Sequence, residues 1–185
     1  MLKENADILD ELQKIIDNHQ NFEADYNAIL QNYSYKKMSI GDGIYGMYYP
    51  NKQLEKYFEY NGTLTNNENK KDFSYYFDKN HRLVLTERYT NGNLLNAILF
   101  YYYQDKIEIV WYCMERKKIN VVGEILYYNN DLIKFVESGD VIRKNNSFKE
   151  YVFNADNEYI KIKSYINYSN DKEIVMNSKM KKEEK

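Results

Sequence analysis

Ala97-Ile98-Leu99-Phe100-Tyr101-Tyr102-Tyr103-Gln104-Asp105-Lys106-Ile107-Glu108-Ile109-Val110-Trp111-Tyr112-Cys113 is the stretch on which the fold turns. It reads as two β-strands joined by a tight turn at Gln104-Asp105-Lys106. The first arm, residues 97–103, is apolar or aromatic at every position, as a strand covered on both faces should be. The second alternates. Ile107, Ile109, Trp111 and Cys113 share one side, and Glu108 and Tyr112 share the other. Such a pair belongs at the centre of an antiparallel sheet, with Glu108 and Tyr112 on its outward face.

Working outward, the turn at Gln104 belongs to a series. Aromatic residues followed by Asp, Asn or Gln recur at Tyr76-Phe77-Asp78, Tyr102-Tyr103-Gln104, Tyr127-Tyr128-Asn129 and Val152-Phe153-Asn154. The spacing is close to the length of two strands and two turns, so each period is one up-and-down ribbon. Turns of the opposite phase fall between them. Asn91-Gly92 carries the type I′ hairpin signature, and Tyr60-Asn61-Gly62-Thr63 suggests an earlier hairpin. A single proline, Pro50, fits long paired strands. The expectation is an antiparallel meander of eight to ten strands over residues 40–166, strongly curved and potentially closed into a barrel.

Ahead of the meander, Ile8, Leu12, Ile15, His19, Phe22, Tyr26, Ile29 and Tyr33 step by alternating fours and threes. That is one stripe of an amphipathic helix, expected over residues 5–33, with Asp17-Asn18-His19-Gln20-Asn21 as the place where it can break. Asn5 or Asp7 can cap its start. The stripe is expected to pack on the sheet as a second layer, although so regular a seam also suits a coiled-coil dimer. The predicted fold class is therefore α+β, with one domain over residues 1–178 and a charged, flexible tail over 179–185.

Composition limits the function. The chain has 185 residues, with 26 Lys and Arg against 28 Asp and Glu and a net charge of −2, so no global field draws it to nucleic acid or an anionic membrane. One cysteine rules out an internal disulfide. The opening residues have no apolar run behind Lys3, so no secretory leader is expected, and a cytoplasmic location is. Tyrosine is abundant, at 21 residues, and is favoured both in strands and at contact surfaces.

The segment Tyr75-Tyr76-Phe77-Asp78-Lys79-Asn80-His81-Arg82-Leu83 resembles the YD repeat of RHS-type bacterial proteins, Tyr-x-Tyr-Asp-x-x-Gly-Arg-Leu. Phe77 stands for the second tyrosine and His81 for the glycine. The three later copies keep only the aromatic and the polar residue after it. The resemblance, over about residues 73–166, implies a scaffold and not a catalyst. The overall form, a small Tyr- and Asn-rich α+β chain, also resembles immunity proteins of polymorphic-toxin systems, which implies a protein that blocks a toxin by occlusion.

Other combinations carry residue types that could do chemistry. Gly41-Asp42-Gly43-Ile44-Tyr45-Gly46 spells G-x-G-x-x-G, but the segment is expected to follow a helix and precede a strand, the reverse of a dinucleotide site. Cys113 and His81 are the sole pairing for a thiol nucleophile, and the parity of Cys113 puts it in the core. Glu108 and Glu124 could flank a glycosidic bond, yet glutamates on a solvated strand face are far commoner. His19 is expected to be a packing residue.

No catalytic, cofactor or metal residue is therefore expected. The leading expectation is a non-enzymatic, immunity-type protein that binds a protein partner through Glu108, Tyr112, Glu124 and Tyr128. Two alternatives remain: an apolar-ligand carrier using a barrel interior, and a single-stranded nucleic-acid binder using Tyr151, Tyr159, Lys161, Lys163 and Tyr165.

Overall fold

A computed structural model of the chain describes residues 3–41, 43, 62–128, 131–139, 147–153, 159–168 and 172–181, with side chains for 6–41, 43, 62–123 and 150. The helical stripe is split. Helix α1 runs over Lys3–Asn18 and helix α2 over Phe22–Asn32, so the single helix expected over 5–33 is corrected to two. The break falls within the flagged stretch. His19 N–H still donates to the carbonyls of Ile15 and Ile16, whereas Asn21 has left helical geometry, at φ −90° and ψ 46°. Asn18, His19 and Asn21 carry little helical preference, and Asn favours local caps and turns. On α1 Ile8, Leu12 and Ile15 are buried, as is His19 just after it; on α2 Phe22 is buried, and Tyr33 after its end is exposed.

Among the described residues eleven strand segments follow, β1 to β11, where eight to ten were expected over residues 40–166. They are Tyr35–Ile40, Thr63–Leu64, Phe73–Phe77, Leu83–Thr90, Asn93–Tyr102, Lys106–Cys113, Lys118–Tyr128, Asp131–Gly139, Ser147–Phe153, Tyr159–Tyr168 and Lys172–Lys181. Strands β3, β5, β7 and β9 end at Phe77, Tyr102, Tyr128 and Phe153, within a residue of the expected aromatic corners. Two boundaries differ from expectation. Tyr35–Ile40 is already strand, and β11 takes in Lys179, Met180 and Lys181, which had been assigned to a flexible tail.

The chain forms two compact units. One comprises Met1–Gln20, Tyr102–Val110 and Ile119–Lys185, and the other Asn21–Tyr101 and Trp111–Lys118. In the second unit the strands lie in the order β5-β4-β3-β1-β2, every described pair antiparallel. Strand β2 adds outside β1, so the simple meander begins only at β3. Asn91 and Gly92, at φ 52° and 77°, join β4 to β5 as the expected two-residue hairpin. Helix α2 lies on this sheet, and Phe22, Tyr76, Leu85, Ala97 and Leu99 form its buried core, flanked by Tyr26, Ile29, Leu30 and Tyr112.

In the first unit β7 to β11 pair consecutively, each antiparallel to the next. Among the described residues the strand order is open, so the expected closure into a barrel is not seen there.

Strand β6 departs from its expected alternation. Ile107, Ile109, Trp111 and Cys113 are buried as predicted, but so are Glu108 and Val110, and Tyr112 is half-buried. The supposedly outward face is covered in both units. In the first, His19 reaches Glu108, and in the second, Phe22 stacks on Tyr112.

Candidate functional site

Glu108 is the expected partner-binding residue that the structure describes best, and it is 3 % exposed. His19, placed by the end of α1, brings Nε2 to 2.8 Å from Oε2. Lys106, two residues back on β6, puts Nζ 2.8 Å from Oε1. The Tyr103 hydroxyl donates to Oε2 at 3.1 Å. Burial by itself would raise this carboxyl, but the donors from Lys106, His19 and Tyr103 outweigh it and hold the group below its ordinary value. Three donors within the chain thus occupy this carboxylate. Its role is to fasten α1 to β6, which corrects the assignment of Glu108 to an outward contact face.

Tyr112 is likewise engaged inside the chain. Its ring lies 3.9 Å from that of Phe22, with an interplanar angle of 6°. Glu124 and Tyr128 occupy β7, opposite Val136 and Asp131, and their side chains lie outside those described. Of the expected four-residue face, Glu108 and Tyr112 are therefore engaged within the chain.

The second unit holds a cluster that the sequence reading missed. Glu87 on β4 is 2 % exposed and accepts three phenol hydroxyls. Tyr26 of α2 donates to Oε1 at 2.5 Å, Tyr76 of β3 to Oε2 at 2.6 Å, and Tyr89 of β4 also to Oε2. Burial first, then donation to Glu87 and proximity to its charge, push all three phenols above the ordinary tyrosine value. Such hydroxyls keep their protons near neutrality. They suit holding a buried carboxylate and not shuttling a proton, which calls for a pKa near the working pH. Lys71 Nζ sits 4.5 Å from the Tyr89 ring centroid, and Glu68 ties Lys71 to Lys36. The available signal was parity: Glu87 continues the Leu83, Leu85 series along a strand whose alternate positions are core.

Cys113 is buried in β6. His81 is exposed at the β3–β4 turn, with Nδ1 3.4 Å from the Tyr35 hydroxyl. Gly41, at φ 80°, ends a strand and not a helix, which corrects the expected context of the glycine motif. Residues 42 and 44–46 of that motif lie outside those described, as do residues 60 and 61 of the expected earlier hairpin.

In the Tyr/Lys alternative, register divides the named residues. Tyr151 pairs with Ile162, whereas Lys161 pairs with Val152 and Lys163 with Glu150. Directly opposed residues share a face. Tyr151 is therefore on the isoleucine side, and Tyr159, Lys161, Lys163 and Tyr165 are on the other.

Comparisons with protein-family models, with curated proteins and with solved structures return no match for this chain.

Proposed function

We propose that this chain is a protein-binding module of the cytoplasmic immunity or antitoxin type, neutralising a partner by occluding it. One observation carries the reading. On the outermost strand pair of the second unit, Leu64 is 58 % exposed and Ile40 is 40 % exposed. Strand β2 is only two residues long and stands at the end of that unit's strand order. Apolar residues at a strand edge are a liability unless another chain covers them. Edge addition supplies backbone hydrogen bonds, and the exposed aliphatic residues supply the anchoring contact. Occlusion of this kind needs a rigid edge and no chemistry of its own.

The test is affinity capture from native cells with mass-spectrometric identification, run in parallel on the wild type and on Ile40→Asp/Leu64→Asp. The expected result is a toxin-like partner held by the wild type and lost from the variant, with both proteins melting alike. Recovery of no partner, or equal retention by the variant, overturns the reading.

A further inference from the structure

In the first unit β10 and β11 pair in unbroken register from Tyr159↔Lys181 to Tyr168↔Lys172. The register sorts the hairpin into two contrasting faces. One carries Ile160, Ile162, Ser164 and Ile166 opposite Met180, Ser178, Met176 and Ile174. The other carries Tyr159, Lys161, Lys163 and Tyr165 opposite Lys181, Lys179, Asn177 and Val175. The lysines of β11 are new to this face, because the sequence reading had left them in the tail. Over these four positions neither strand offers an acidic residue. On β9, Glu150 stands opposite Lys163 and Val152 opposite Lys161, so within the paired strands the charges of Lys161, Lys179 and Lys181 face no acidic position.

Lys161 directly opposes Lys179, and like charges across a ladder cost stability. Such a pair is relieved by an anion. Successive positions on one strand face lie about 6.6 Å apart, so Tyr159 and Tyr165 are about 20 Å apart with two lysine positions between them. Aromatic platforms flanking cations match a strand of stacked bases and phosphates; an acidic polypeptide would use the cations alone.

We propose that this face of the β10–β11 hairpin binds single-stranded nucleic acid, with Tyr159 and Tyr165 stacking on bases and Lys161, Lys179 and Lys181 contacting phosphates. The site is in the first unit and is independent of the Leu64 edge. An Ile40→Asp/Leu64→Asp variant should bind nucleic acid as the wild type does, so either reading can fail without the other.

The experiment is fluorescence anisotropy of the full chain with labelled oligothymidylate across a salt series. Binding is expected at low salt, with a log–log salt slope of about −2 for three phosphate contacts. Lys161→Gln/Lys179→Gln should bring the slope to about −0.7. The same variant without nucleic acid should melt higher, since the opposed charges are gone. Tyr159→Ala and Tyr165→Ala should each weaken binding about fivefold to a hundredfold at constant slope. Absence of binding by the folded wild type at low salt overturns the proposal. So does equal binding of polyglutamate with no effect of the tyrosine variants, which would mark a charge-only surface for an acidic polypeptide.

Discussion

The Tyr26 hydroxyl donates to Glu87 Oε1 at 2.5 Å across 61 residues of sequence, joining α2 to β4 within the second unit. The same helix is held by Tyr101, whose hydroxyl donates to Asp25 Oδ2 at 2.8 Å, and by the Phe22–Tyr112 stack. Hydrogen bonds to a buried charge are among the stronger ones. Tyr26→Phe should therefore destabilise the chain by about 1.5–3 kcal/mol, and Tyr76→Phe by a similar amount. Urea unfolding is the check. A loss below about 0.5 kcal/mol from each would mean that Glu87 does not depend on these phenols.

The tyrosine cluster also sets an alkaline limit. Its phenols have folded-state values raised above the ordinary 10.0. Their contribution is complete below that value and is lost as pH rises above it, because the unfolded chain ionises first. Stability should fall steeply above about pH 10, and tyrosinate absorbance should show a late-titrating class that shrinks in Tyr26→Phe and Tyr76→Phe. If all tyrosines of the folded protein titrate together near the ordinary value, the cluster is not closed to solvent.

At the acid end Glu108 has the opposite sign. Its folded-state value lies below the ordinary 4.5, so its contribution is present above that pH and is lost as pH falls through the folded value. Glu108→Gln should flatten the pH dependence of stability below about pH 4.5 while also lowering stability near neutrality, because Lys106 and His19 lose their carboxylate. Melting curves taken across that range for both proteins decide it. Parallel curves would assign the acid sensitivity to other carboxyl groups.

What could be read from the sequence follows from what pattern encodes. Strand ends were legible because the aromatic corners recur, and the β4–β5 hairpin because Asn91-Gly92 accepts positive φ. The helical stripe was legible because its steps of three and four persist through the break at Asn21. Parity correctly grouped Glu108 with Tyr112, but it cannot say whether a helix covers that group, and both residues were misplaced for that reason. Glu87 was missed because a carboxylate on a core face breaks the usual rule of burial, and its three donors come from separate elements. The lysines of β11 were read as a solvated end because the residues that give them a face lie on β10.

The β3–β4 turn shows why Asp78 and Arg82 stand four residues apart. Asp78 Oδ1 accepts the N–H groups of Asn80 and Arg82, and Oδ2 accepts from the Arg82 guanidinium. His81 is held at φ 60°. Asp78→Ala should cost about 0.5–2 kcal/mol, as for a lost side-chain cap. His81→Gly should raise stability by up to about 1 kcal/mol, less whatever the Tyr35 contact contributes, since left-handed geometry is strained for a residue with a Cβ. Thermal or urea melts of both variants give the answer; a marked loss in His81→Gly would mean that packing on Tyr35 outweighs backbone strain.

Helix α1 offers a test of whether the stripe is packed or free. Leu12 and Ile15 are each 2 % exposed, one turn apart on the face that ends at His19. Burying such side chains contributes about 1.5–3 kcal/mol apiece, and a buried carboxylate without partners costs more than the lost contact. Leu12→Asp/Ile15→Asp should therefore unfold the first unit or release α1 from it, seen as lost helical circular dichroism and faster proteolysis ahead of Asn21. The paired control is Glu11→Ala, an exposed position on the same helix, which should change stability by less than about 0.5 kcal/mol. If the double variant melts with the wild type, α1 is an arm carried by the chain and the His19–Glu108 pair does not hold it.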